Sequence, residues 1–228
     1  MQYEEIIAKL KTMGNPKNVE GMARYGINPK NNLGISIYQL RPFAKEIGKN
    51  HELSLKLWES GIHDARLLAV FIANPSQVTE KQMDSWAKDF DSWDVCDQAC
   101  TSLFDLTPHA FKKVFEWAKD EREFVKRAAF SIIAGLAVHD KISNDEKFEK
   151  FFQIIKRESI DDRNYVKKAV NWALRNIGKR NSNLNKKAIK IAGELKKIDS
   201  KSAKWIASDA IRELTSEKVK QKLAKKKN

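Results

Sequence analysis

The chain has 228 residues, of which 43 are Lys or Arg and 30 are Asp or Glu, for a formal net charge of +13. That length suffices for one sizeable domain or an array of small units, and no apolar run approaches the roughly 20 residues of a membrane-spanning helix. Two cysteines and four histidines, with no metal-ligand spacing among them, exclude a secreted disulfide framework and give no ground for a metal or a cofactor.

The opening "MQYEEIIAKL" is acidic and amphipathic, unlike a signal peptide, so a cytoplasmic protein is expected. Apolar residues then recur three and four apart through twelve segments. In the first half these are 3–13, 36–48, 51–60, 64–73, 79–90 and 93–104. In the second half they are 108–120, 123–138, 145–157, 165–179, 183–197 and 202–214. No stretch alternates with period two over strand length. Pro16, Pro29, Pro75 and Pro108 fall at breaks or helix starts, whereas Pro42 should kink its helix or mark a start near Arg41. About a dozen helices joined by short loops are expected.

Five helices share a pattern, in which a polar residue precedes small residues and then an apolar run. The polar positions are Arg66, Asp97, Arg127, Lys168 and Asp209, spaced 31, 30, 41 and 41 residues apart. Two helices per 30–45 residues indicate a HEAT-like or armadillo-like solenoid, with a globular bundle as the alternative. The expected fold is therefore all-α, a right-handed α–α superhelix with a concave basic groove. Residues 1–222 are expected to form one domain, followed by a basic tail, 223–228. In such an array the second helix of each pair lines the concave face, so the five polar positions should point into the groove.

Charge is uneven. Residues 1–110 hold 12 basic and 14 acidic side chains, and residues 111–228 hold 31 and 16. A basic half is the footprint of a polyanion, most often nucleic acid.

The segment "SWDVCDQAC" carries the most chemistry. At ~100° per residue, Trp93, Val95, Cys96, Ala99, Cys100, Leu103 and Phe104 form one apolar arc. Asp97 sits at the edge of that arc beside Trp93, whereas Gln98 and Asp105 should point to solvent. A half-desolvated acid needs a partner or a purpose. Its partner could be a neighbouring basic residue such as Arg127. The two cysteines read as buried thiols.

Four motifs in order resemble the AlkD-type family of DNA N-glycosylases, built from HEAT-like repeats. "VEGMARYGINPKNNLGIS" resembles its N-terminal segment and "SWDVCD" its W-D-x-V-D motif. "FVKRAAF" resembles its aromatic-x-x-R-A-A segment, and "YVKKAVNWALRNIGK" its segment built on K-A-x-x-W-x-L-R. The resemblance covers roughly residues 17–180. It implies that Asp97 is the catalytic carboxylate, Trp93 and Trp172 are the flanking tryptophans, Arg127 is the active-site arginine, and Tyr25 lies near the DNA. Two positions depart from the family: Ser92 stands where a second tryptophan occurs, and "SIIAGLAV" replaces a more polar, basic segment.

The implied activity is monofunctional release of N3- or N7-alkylated purines such as 3-methyladenine and 7-methylguanine from duplex DNA, without a lyase step. Arg127 is expected to hold a phosphate flanking the lesion and to help orient Asp97. Lys126, Lys167, Lys168, Arg175 and Lys179 are expected to follow the DNA backbone. No membrane association or obligate protein partner is implied, and a monomer is expected. Two other readings compete: a non-catalytic HEAT-like protein that binds damaged or branched DNA, and a protein-interaction scaffold.

Overall fold

Helix starts follow the capping chemistry of the sequence. The computed structural model describes residues 1–225, and every regular element among them is helical. Contacts divide the chain into two units, Met1–His109 and Ala110–Asn228. In the first unit the helices are α1 (Tyr3–Met13), α2 (Pro16–Arg24), α3 (Ile37–Ile47), α4 (His51–Glu59), α5 (His63–Ile72), α6 (Glu80–Lys88) and α7 (Trp93–Ser102). Side chains of Asn15, Asn50 and Thr79 accept from the first-turn N–H groups of α2, α4 and α6, which those helices cannot satisfy internally. α3 begins at Ile37 and runs through Pro42, so Pro42 lies inside the helix and does not start it.

Helix α5 forms the centre of this unit and packs against α1, α3, α4 and α7. Behind it, the Trp58 and Trp86 rings stack 4.0 Å apart. The Trp58 indole N–H donates to Asp89 at 2.8 Å.

The second unit holds α8 (Ala110–Trp117), α9 (Glu123–His139), α10 (Asp145–Glu158), α11 (Asn164–Gly178), α12 (Ser182–Leu195), α13 (Lys201–Leu214) and α14 (Glu217–Lys225). Helices α9, α11 and α13 pack side by side, with α8 against α9, α10 against α11, and α12 against α13. Helix α9 is buried almost all round, as its apolar composition requires. Of residues 131–138, where the sequence departs from the family pattern, 131–137 are core and Val138 is 46% exposed. Gly178 sits where a Cβ would come within 2.7 Å of Leu214 and 3.0 Å of Ala188, so its lack of a side chain lets α11 approach α12 and α13.

The repeat spacing reappears as hydrogen bonds between successive helix pairs. In the first unit, Trp58 bonds to Asp89 and His63 to Asp94, each 31 residues on. In the second, Arg163 donates to Glu121 O and Asn176 to Ala134 O across 42 residues, and Ser202 to Asp161 O across 41. Two helices, α2 and α14, lie outside the twelve periodic segments. α2 buries no residue and α14 buries only Val219 and Leu223, so neither has an apolar stripe strong enough to read. Of the basic tail expected at 223–228, residues 223–225 end α14 and 226–228 lie outside the described residues.

Candidate functional site

The head of α7 is built by a chain of polar contacts that begins far away in sequence. Asp64, fully buried on α5, accepts from the Leu33 N–H at 2.6 Å and the Ile35 N–H at 2.8 Å. Its neighbour His63 bonds through Nε2 to Asp94 Oδ2 at 2.8 Å, and Nδ1 lies 3.7 Å from Asp64. Asp94 also accepts from the buried Ser92 hydroxyl. Burial pushes the His63 imidazole down, but the nearby Asp64 and the hydrogen bond and charge of Asp94 outweigh it and hold its pKa up to about 9. Burial likewise opposes the Asp94 charge, yet His63 and Ser92 hold its pKa below the usual value. The result is a buried imidazolium between two carboxylates at the point where α7 starts.

That frame sets the rotation of α7 and so the direction of Trp93 and Asp97, one turn apart on a shared face. Both are half-buried. The Trp93 indole N–H donates to Tyr25 O at 3.0 Å, so the expected aromatic and the end of α2 are tied together. The Tyr25 ring itself is 78% exposed. On the buried side of the same arc Cys96 and Cys100 are free thiols, and burial, then Cys96, pushes Cys100 well up, so it stays protonated. Asp105 corrects one expectation: it is buried at 6% exposure, because the chain turns into a 3-10 segment at Phe104–Leu106 instead of continuing α7.

The second unit carries the other expected residues. Trp172 is half-buried on α11. Arg127 is buried on α9 and donates through Nη1 to Tyr165 O at 2.7 Å, in the first turn of α11. The expected backbone-following cations are mostly paired. Lys126 lies 2.6 Å from Glu158 and 3.5 Å from Asp161. Arg175 bonds Glu213 and lies 3.6 Å from Asp209, and Lys179 lies 2.6 Å from Glu213. Burial opposes ionisation of Asp209 and Glu213, but Asn171, Lys179 and Arg175 overcome it and hold both low. Lys167 sits over the Trp205 ring, 5.3 Å from its centroid, and Lys168 is exposed. The five polar positions of the repeat pattern therefore do not share one environment: Arg127 is buried, Lys168 is exposed, and Arg66, Asp97 and Asp209 lie between. Sequence reasoning missed His63 and Asp94 altogether. A histidine one turn-start before "DARLL" and an acid directly after Trp93, 31 residues on, were the available signal.

A sequence model of the DNA alkylation repair enzyme family matches residues 6–214. Uncharacterized proteins of Listeria innocua serovar 6a and Listeria monocytogenes serovar 1/2a are 23% and 22% identical over 200 residues, covering 86% of this chain and 87% of each relative. Among solved structures, one described as a new family of proteins related to the HEAT-like repeat DNA glycosylases, with affinity for branched DNA structures, superposes with a TM-score of 0.77 at 20% identity. It covers 93% of this chain and 95% of that one. That likeness shows the fold, an all-helical HEAT-like repeat.

Proposed function

The chain belongs to the DNA alkylation repair enzyme family, and from that premise we propose that it is a DNA N-glycosylase for cationic N3- and N7-alkylated purines. The observation that carries this reading is the Trp93–Asp97 pair, half-buried on one face of α7 and held by the His63–Asp94–Ser92 contacts and the Trp93–Tyr25 bond.

Alkylation at N3 or N7 leaves the base with a formal positive charge. When the glycosidic bond breaks, the base takes the bonding electrons and departs neutral, so no general acid is needed. The positive charge moves to the deoxyribose as an oxocarbenium ion. A fixed carboxylate at Asp97 stabilises that charge and orients the water that adds to C1′. The Trp93 indole favours the cationic nucleotide by ~0.5–2 kcal/mol. Arg127, buried on α9, is proposed to meet a DNA phosphate. Lys168 and Tyr25, both exposed, are proposed to meet the DNA backbone directly.

A second reading, binding of branched or damaged DNA without catalysis, is favoured by the described affinity of the structural neighbour. Base release from a duplex carrying one 7-methylguanine separates the two. Wild type is expected to release the base, and Asp97→Asn, which keeps shape and removes charge, to be slower by ~10²–10³-fold while binding DNA equally. Absence of release by wild type, with DNA bound, transfers the protein to the second reading.

A further inference from the structure

The first unit has no net positive charge, yet one cleft in it gathers cations. The cleft, about 320 Å³, lies between the end of α3 and the end of α5 and is lined by Arg41, Ala44, Lys45, Gly48, Lys49 and Phe71. No carboxylate lines it. Among the described residues, Arg41, Lys45 and Lys49 have no ion-pair partner, in contrast to Lys126, Arg175 and Lys179 of the second unit.

Each cation is held differently. The Arg41 guanidinium lies over the Phe71 ring, 4.7 Å from its centroid, and donates to Gln98 Oε1 on α7 at 3.1 Å. A stacked guanidinium keeps its in-plane N–H groups available and loses little freedom when it meets a phosphate. Lys49 donates to Phe71 O at 3.0 Å and Ala73 O at 2.8 Å, which caps the C-terminus of α5 and fixes an ammonium in the cleft floor. Its partial burial lowers its pKa, a cost that a bound anion would relieve. Lys45 is exposed one turn after Arg41 on the same face of α3, and the 89% exposed Tyr38 lies one turn before.

We propose that this cleft is a phosphate clamp for a DNA strand, with Arg41 and Lys45 as the direct contacts and Lys49 as a fixed positive floor. Gln98 follows Asp97 in sequence and holds Arg41, so the clamped strand is the one that α7 addresses. This part rests on the proposed function. The rest stands on the cleft alone.

The test is the salt dependence of duplex DNA binding by the full chain. Each neutralised phosphate contributes ~0.9 to the slope of log K against log salt. Arg41→Gln combined with Lys45→Gln is expected to flatten the slope by about 2 and weaken binding about 60-fold at 0.1 M salt. Lys45→Gln alone, which leaves the α3–α7 contact in place, should flatten it by about 1. A control pair of equal charge change, Lys11→Gln with Lys56→Gln, is expected to retain most of the wild-type slope. An unchanged slope in the cleft variants, or an equal loss in the control pair, overturns the clamp. So does a rise in thermal midpoint with millimolar inorganic phosphate that the cleft variants abolish while their DNA slopes match wild type, since the cleft would then hold a free anion. Base release by wild type with no slope change in the variants removes the clamp and leaves the glycosylase. Slope loss without base release by wild type does the reverse.

Discussion

Replacing Gly34 with alanine tests how the N-terminal segment is locked to the frame that carries α7. Gly34 has φ +76°, and an added Cβ would stand 2.3 Å from Asn15 O, 3.0 Å from Val19 Cγ2 and 3.1 Å from Val19 N. Asn15 O has little room to retreat. It accepts the Asn18 and Val19 N–H groups at 3.0 and 3.3 Å, and Gly34 O accepts from the Asn18 side chain at 2.9 Å. The left-handed conformation costs a residue with a Cβ ~1–2 kcal/mol, and forced repacking adds ~1–3 kcal/mol. Gly34→Ala should therefore cost about 2–5 kcal/mol. Gly61 is the internal reference: its φ is +66° but a Cβ there meets nothing within 4 Å, so Gly61→Ala should cost the conformational part alone, ~1–2 kcal/mol. With a urea m-value of about 2 kcal/mol/M, the midpoint should fall by ~1–2.5 M for Gly34 and ~0.5–1 M for Gly61. Tryptophan fluorescence reads the transition, since Trp58, Trp86 and Trp93 all lie in the first unit. Equal midpoints for the two variants would refute the claim that the Asn15 backbone closes on Gly34.

Three further outcomes are expected. His63, raised from an ordinary 6.5 to about 9, contributes stability that is complete below pH 6.5 and is lost as pH rises through 9, on the order of 3 kcal/mol. Asp94, held below its ordinary value, contributes in the other direction, losing stability as pH falls through its lowered pKa. Urea midpoints between pH 6 and 9.5 should thus decline more steeply in wild type than in His63→Gln, and parallel curves would mean that the imidazolium is not stabilised by the fold. Trp93→Phe loses the bond to Tyr25 O, worth ~1 kcal/mol, and weakens the cation–ring attraction. Base release should fall by about tenfold or more with duplex binding kept, and an unchanged rate would place Trp93 outside the site. Lys126→Met breaks a largely buried pair with Glu158 and should destabilise the fold by about 3 kcal/mol. Lys168→Met should leave stability alone and flatten the DNA salt slope by about 1. If both variants changed only the slope, the Lys126 pairing would not be structural.

Twelve of the fourteen helices among the described residues were legible in the chain, with α2 and α14 missed, because apolar period is local. Apolar period sets helix type, and a polar residue before a small-residue run recurs once per repeat. The same locality placed Trp93 and Asp97 on one helix face, since that needs only two positions four apart. Tertiary structure decided what depends on contacts 30 to 42 residues away. It neutralised Lys126, Arg175 and Lys179 against acids of neighbouring repeats, and it buried Arg127 against Tyr165 O. It put 131–137 in the core, because α9 packs against both α8 and α11. It also brought His63 to Asp94, and three cations that a charge tally of an acidic half conceals into one cleft beside Phe71. A charge in sequence says that a counter-charge is wanted. Whether another repeat supplies it or a ligand must is settled only when the repeats stack.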